Sequence, residues 1–254
     1  MTTVALFAFT CGHVTGARSG FLEGESGKLT VPVPAYLVVH EQGRVLFDTG
    51  LNVEIRQRQA ELLGPTAKDW EIDFPQGADI ASRLARLGLA PADIRYVVNS
   101  HLHYDHCGGN GFFPNATLIV HAKEWRSAHR PNTQAAGLYN PLDFEHMASV
   151  RELDGELDLF DDGSVVVFPT PGHTPGHQSL RVRTATGTIV LAADCCYLKR
   201  TLDALHLPTA VYNRDQMLAT LALLRQMQGD GARIFYGHDP EFWTTVPQAP
   251  RPVE

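Results

Sequence analysis

The stretch Ser100-His101-Leu102-His103-Tyr104-Asp105-His106 gathers three imidazoles and one carboxylate into a single short segment. A packed core gains nothing from such a cluster, because each ionisable side chain taken out of water costs free energy unless it is paired or bound to a cation. His with Asp is the donor set that suits zinc and its neighbours. His101 and His103 are two apart, so on an extended segment their rings project to the same side. Asp105 and His106 follow where the chain begins to turn, helped by Gly108 and Gly109. The two pairs therefore point to slightly different places, which allows two adjoining sites. A metal with open coordination positions activates water, so the cluster points to hydrolysis.

The rest of the chain fits a soluble catalyst. Its 254 residues, 44% hydrophobic and 19% charged, can bury a substantial core without disulfides and read as a single domain over 1–254. A formal net charge of −7 argues against a nucleic-acid surface. No run of 18 apolar residues suggests a membrane span. Cys11, Cys107, Cys195 and Cys196 form no C-x-x-C pair, and Cys195 and Cys196 are adjacent, which disfavours a bridge between them. With no secretory pattern over Met1–Thr10, the expected compartment is the cytoplasm.

Strands are predicted over Val4–Phe9, Ala35–His40, Arg44–Phe47, Ile94–Asn99, Thr117–His121, Val165–Phe168, Leu180–Arg183, Thr188–Ala192 and Ile234–Tyr236. Helices are predicted over Ala78–Leu87, Lys123–His129 and Asp215–Met227. In the last, Met217, Leu218, Leu221, Leu224 and Met227 form one broad apolar face. Gly12–Thr30, with five glycines and only Phe21 and Leu22 as large apolar residues, reads as a long mobile loop. Several strands end in a metal-competent residue: His101, His173, Asp194 and His238. His173 or a neighbour could complete one site, His238 the other, with Asp194 between them.

H-L-H-Y-D-H (101–106), P-G-H (171–173), Asp194 after an apolar strand and G-H (237–238) resemble the metallo-β-lactamase superfamily, over about Ala35 to Asp239. Within it the chain is most similar to the N-acyl homoserine lactone lactonases, through S-H-L-H-Y-D-H-C-G-G-N-G (100–111), T-P-G-H-T-P-G-H-Q-S-L (170–180), D-C-C-Y (194–197), I-F-Y-G-H-D (234–239) and V-P-V-P-A-Y (31–36). The resemblance implies an α/β fold, a four-layer αββα sandwich with two divalent ions at one edge. It implies His101, His103 and His173 on the first ion, Asp105, His106 and His238 on the second, and Asp194 bridging. The ions are expected to be zinc, with cobalt, manganese or iron also admissible. The implied activity is opening of a lactone ring by a hydroxide held between the metals. Tyr197 assists at the oxyanion or the ester, and Asp105 carries a proton to the leaving alkoxide.

Other readings stay open. Lactonases for another ring, such as pyridoxolactone, share many of these segments, as do phosphotriesterase-like hydrolases on the same scaffold. From different classes come a mononuclear iron protein handling sulfur and a metal-binding module without turnover. His177 competes with His173 as a ligand, and the resemblance favours His173. Asp48 in F-D-T-G either supports a ligand histidine or is only a turn residue. Cys107 reads as a small buried thiol, and Phe21 and Leu22, with residues near Val31–Tyr36, as walls for an apolar substrate tail. The expected partner is a small lactone, the expected assembly a monomer or homodimer.

Overall fold

Runs of β-branched and aromatic residues build twelve strands in the computed structural model, which describes residues 3–137 and 139–253. The first sheet holds β1 (Ala5–Ala17), β2 (Lys28–His40), β3 (Gly43–Phe47), β4 (Glu71–Asp73), β5 (Ile94–Val98), β6 (Thr117–His121) and β7 (Ser149–Leu153), in the order β4-β1-β2-β3-β5-β6-β7. The second holds β8 (Leu157–Asp158), β9 (Val165–Pro169), β10 (Gln178–Thr184), β11 (Gly187–Ala193) and β12 (Arg233–Tyr236), in the order β12-β11-β10-β9-β8. Pairing is parallel from β3 through β5 and β6 to β7 and between β11 and β12, and antiparallel elsewhere.

The helices are α1 (Ile55–Leu63), α2 (Ile80–Ala85), α3 (Tyr104–Cys107), α4 (Ala122–Ala128), α5 (Pro131–Ala135), α6 (Lys199–Ala204), α7 (Arg214–Gly229) and α8 (Pro240–Trp243). Strand periodicity explains the layering. In β11, Ile189 and Leu191 face the other sheet and pack with Val38, Phe47, Val98 and Val167, while Val190 and Ala192 meet Met217, Leu221 and Leu224 of α7. On the far side, Leu37, Leu46, Val97 and Leu118 pack against Ile55 of α1 and Ile80 and Leu84 of α2. Helices outside and sheets inside make the four-layer αββα sandwich. Strands buried on both faces read as continuous apolar runs, which is why β6 and β11 stood out in the sequence.

Two expectations need correction. Residues 12–17 belong to β1 and 28–30 to β2, so both ends of Gly12–Thr30 are paired strand, with Val14 opposite Val31, and the loop shrinks to 18–27. Two glycines of this segment, Gly12 and Gly16, serve close packing. Gly12, at φ +106, sits at a register shift between Thr10 and His13, and a Cβ on Gly16 would lie 2.5 Å from the Trp70 ring. Such positions mark bulges and close approaches within strands. The apolar face of α7 is also narrower than its composition: Met217, Leu221 and Leu224 are buried at i, i+4, i+7, whereas Leu218 is 37% exposed. Among the described residues, no helix is long and apolar enough to cross a membrane.

Candidate metal centre

Four strand ends converge at one edge of the sandwich. The segment after β5 carries His101 and His103, and α3 adds Asp105 and His106. The turn after β9 supplies His173, β11 runs into Asp194, and β12 into His238. All seven side chains come together in two groups, one of His101, His103, His173 and Asp194, the other of Asp105, His106 and His238.

The carboxylate of Asp194 lies between the groups. Its Oδ1 is 3.1 Å from Nε2 of His106 and 3.0 Å from Nε2 of His238, while Oδ2 is 3.3 Å from Nε2 of His173 and 3.7 Å from Nε2 of His101. One oxygen faces each group. The residue before it, Ala193, is held at φ +49, a left-handed conformation that a non-glycine residue adopts only under local constraint.

The rings are oriented from behind. Nδ1 of His238 donates to the Pro32 carbonyl at 2.8 Å, and Nδ1 of His106 donates to Asp48 Oδ2 at 2.8 Å. Ser100 Oγ is 3.0 Å from Nδ1 of His101, and the Tyr197 hydroxyl is 3.2 Å from Nδ1 of His173. Engaging the far nitrogen leaves Nε2 to point inward, the usual support for a metal-binding histidine. Asp48, at φ +57, also accepts from the Ser100 amide and hydroxyl, so it is a supporting carboxylate rather than a mere turn residue.

Electrostatics separates the groups. Burial, then neighbouring imidazoles, holds His101 well below its ordinary pKa; burial and nearby histidines likewise depress His173 despite Asp194. Burial also brings His103 down to about 4. At His106 burial opposes the cation, but Asp194, Asp105 and Asp48 outweigh it and the pKa rises well above ordinary. His238 rises too, as Asp194 and Asp105 overcome burial. Burial pushes the Tyr197 hydroxyl far up, so at neutral pH it stays protonated and able to donate.

The donors suit a cation. Nε2 of His173 lies 3.2 Å from both Nε2 of His101 and Nδ1 of His103, so three ring nitrogens converge on one point. Nε2 of His106 and Oδ1 of Asp194, 3.1 Å apart, are sealed from solvent with no well-aligned hydrogen-bond partner among the described residues. Buried groups left so are costly, and a divalent ion in each group would satisfy them.

Above the donors opens a cavity of about 550 Å³, with Phe21, Trp70, Tyr104, Tyr139 and Val211 on its walls and His103, Asp105, His173, Asp194, Tyr197 and His238 reaching it. Phe21 packs edge-on against Tyr197, centroids 5.6 Å apart. Leu22 does not line the cavity: it is buried in the cluster beneath the first sheet. Nor do residues 31–36 line it, and Pro32 contributes instead its carbonyl to His238. His177 stays outside both groups and bonds through Nδ1 to Thr170 Oγ1 at 2.9 Å. Cys107 is a buried thiol packed with Leu102 and Phe144.

One residue had no sequence signal. Glu124, in α4, is fully buried; Oε1 accepts from the Leu102 amide at 3.2 Å and the Tyr139 hydroxyl at 3.0 Å, and Oε2 from the Gly176 amide at 3.2 Å. It ties the His101–His103 segment to the turn that carries His173. Gly176 has no room for more, since a Cβ there would lie 2.1 Å from the Glu124 nitrogen.

Comparison with known proteins agrees with this geometry. Residues 30–238 match the model of the metallo-beta-lactamase superfamily. The chain is 32% identical over 236 residues to the N-acyl homoserine lactonase AttM of Azorhizobium caulinodans, covering 90% of this chain and 89% of that protein. It is 32% identical over 219 residues to the N-acyl homoserine lactonase AiiA of Bacillus thuringiensis subsp. kurstaki, covering 84% and 83%. A solved N-acyl homoserine lactone hydrolase, with N-hexanoyl-L-homoserine bound at its catalytic metal centre, superposes at a TM-score of 0.89 with 28% identity, over all of both chains.

Proposed function

Because this chain belongs to the metallo-beta-lactamase superfamily, we propose that it is a metal-dependent hydrolase that opens the ring of N-acyl homoserine lactones, a quorum-quenching lactonase. The observation that carries this reading is Asp194, whose two oxygens address two separate donor groups at the floor of a largely apolar cavity. His101, His103 and His173 would hold one ion and Asp105, His106 and His238 the other, with Asp194 shared between them. The nitrogen-rich first group favours zinc, although mixed N/O donors also accept cobalt, manganese or iron. When bound, such ions supply Lewis acidity that polarises an ester carbonyl and acidifies water towards neutral pH.

The chain's own groups do the rest. Tyr197, protonated and aimed across the floor, donates a hydrogen bond to the oxygen that gains charge as the lactone carbonyl becomes tetrahedral. Asp105, which reaches the cavity, carries a proton to the ring oxygen as the C–O bond breaks. Phe21 and Trp70, 6.2 Å apart edge to face, exclude water and offer apolar surface to the acyl tail. The four buried thiols suit a reducing compartment, so we assign the protein to the cytoplasm.

The test is a pH-stat assay of the metal-loaded protein against homoserine lactones of graded tail length, with pyridoxolactone and paraoxon alongside. Fastest turnover of the homoserine lactones supports the reading. Faster turnover of either of the others replaces it with that activity.

A further inference from the structure

The phenols around the cavity are not used alike. Tyr139 spends its hydroxyl on Glu124, and Tyr197 places its own beside Nδ1 of His173. Tyr212 is 61% exposed, where water satisfies it. Tyr104 differs from all three. It is half-buried, lines the cavity, and has no hydrogen-bond partner for its hydroxyl among the described residues. Its ring is fixed at the start of α3, one residue before Asp105, and tilts against Trp70 with centroids 6.3 Å apart. Trp70 in turn meets Phe21. Tyr104 is thus a polar tip on an aromatic wall that leaves the donor groups at α3 and returns to them at Phe21, which packs against Tyr197 and His238.

A half-buried hydroxyl at that place is worth little for packing, since phenylalanine would fill the same space. Its polarity gains a role only when something in the cavity accepts its proton. Resting on the lactonase reading, we propose that Tyr104 is a specificity-determining residue whose hydroxyl donates a hydrogen bond to an oxygen on the acyl arm of the substrate. Two oxygens share that chemistry, the amide carbonyl and a 3-oxo group further along the chain. A site that hydrogen-bonds a substrate oxygen discriminates against analogues lacking it more sharply than an apolar wall can.

The experiment compares wild type with Tyr104→Phe on three lactones: N-(3-oxohexanoyl) homoserine lactone, N-hexanoyl homoserine lactone and γ-butyrolactone, which has no acyl arm. Metal content is measured in parallel and is expected to match wild type. In the variant, kcat/KM falls about three- to tenfold on substrates bearing the recognised oxygen, mainly through a higher KM. The fall on γ-butyrolactone is smaller. A loss on both acylated lactones assigns the amide carbonyl; a loss confined to the first assigns the 3-oxo group. An equal loss on all three, or none on any, overturns the assignment of Tyr104 while leaving the lactonase reading intact. A wild-type protein that opens no homoserine lactone overturns both.

Discussion

The two halves of the donor cluster share one carboxylate but are built on opposite electrostatic plans. The His101–His103–His173 group is all imidazole apart from Asp194, and burial holds its rings below their ordinary pKa. The Asp105–His106–His238 group sets two imidazoles among Asp194, Asp105 and Asp48, and both rings are raised. The first is deprotonated and ready for a cation at neutral pH. In the second, the raised His106 and His238 make protons stronger competitors for a cation. The difference teaches that one carboxylate can serve two sites of unlike proton affinity, so occupancy of the two should separate with pH.

The largest effect is expected where the halves meet. Asp194→Ala removes an oxygen from each group, and activity should fall by about a thousandfold or more, since metal activation supplies several kcal/mol. Metal content per chain drops with it. Full activity in that variant would break the idea of a shared bridge.

Next come the supports behind each half. Asp48→Asn removes the carboxylate that orients His106, and Glu124→Ala removes the one that ties Leu102 to Gly176. Each should weaken metal binding by about 10- to 100-fold, but Asp48→Asn through the second group and Glu124→Ala through the first. Titrating metal into each variant and following the two binding steps checks this; loss of the same step in both would erase the distinction between the halves.

Smaller still is Tyr197→Phe. Two metals per chain should remain, with kcat down by about 10- to 100-fold, as for loss of one oxyanion donor. Loss of metal would make Tyr197 a structural prop for His173 instead.

The pH dependence sharpens the contrast with the least change in the molecule. Raised values at His106 and His238 mean that the metal-free fold binds those protons more tightly than the unfolded chain. Their pairing therefore stabilises the metal-free protein fully below the unfolded histidine pKa of about 6.5, and the contribution fades as pH climbs through the raised values. Cation binding runs the other way: filling of the second group is favoured as pH climbs through the raised values, while the first stays filled to lower pH. Above about pH 6.5 thermal melts of metal-free and metal-loaded protein should show opposite slopes; below it the depressed His101, His103 and His173 make the metal-free protein gain stability as pH rises.

How far these features can be read from the chain depends on what marks them. The seven donors stand out because ionisable residues at the ends of apolar strands need a reason to be there, and the sandwich follows from strands apolar on both faces, as in β6 and β11. Glu124 carries no such mark. In Lys123-Glu124-Trp125 it looks like any helix surface residue, and only the approach of Gly176 buries it. Gly12 and Gly16 misled because a glycine that admits a neighbouring ring looks, in sequence, the same as one that loosens a loop. Leu22 differs from its neighbour for a reason that sequence does not mark: both are buried in the same apolar cluster, and only Phe21 also reaches the cavity.

Anomalous diffraction from crystals of the zinc-loaded protein at pH 8 tests the central claim most directly. The account predicts two peaks per chain, one beside each oxygen of Asp194, the first among His101, His103 and His173 and the second among Asp105, His106 and His238. A single peak, or two with Asp194 turned away from either, would contradict it.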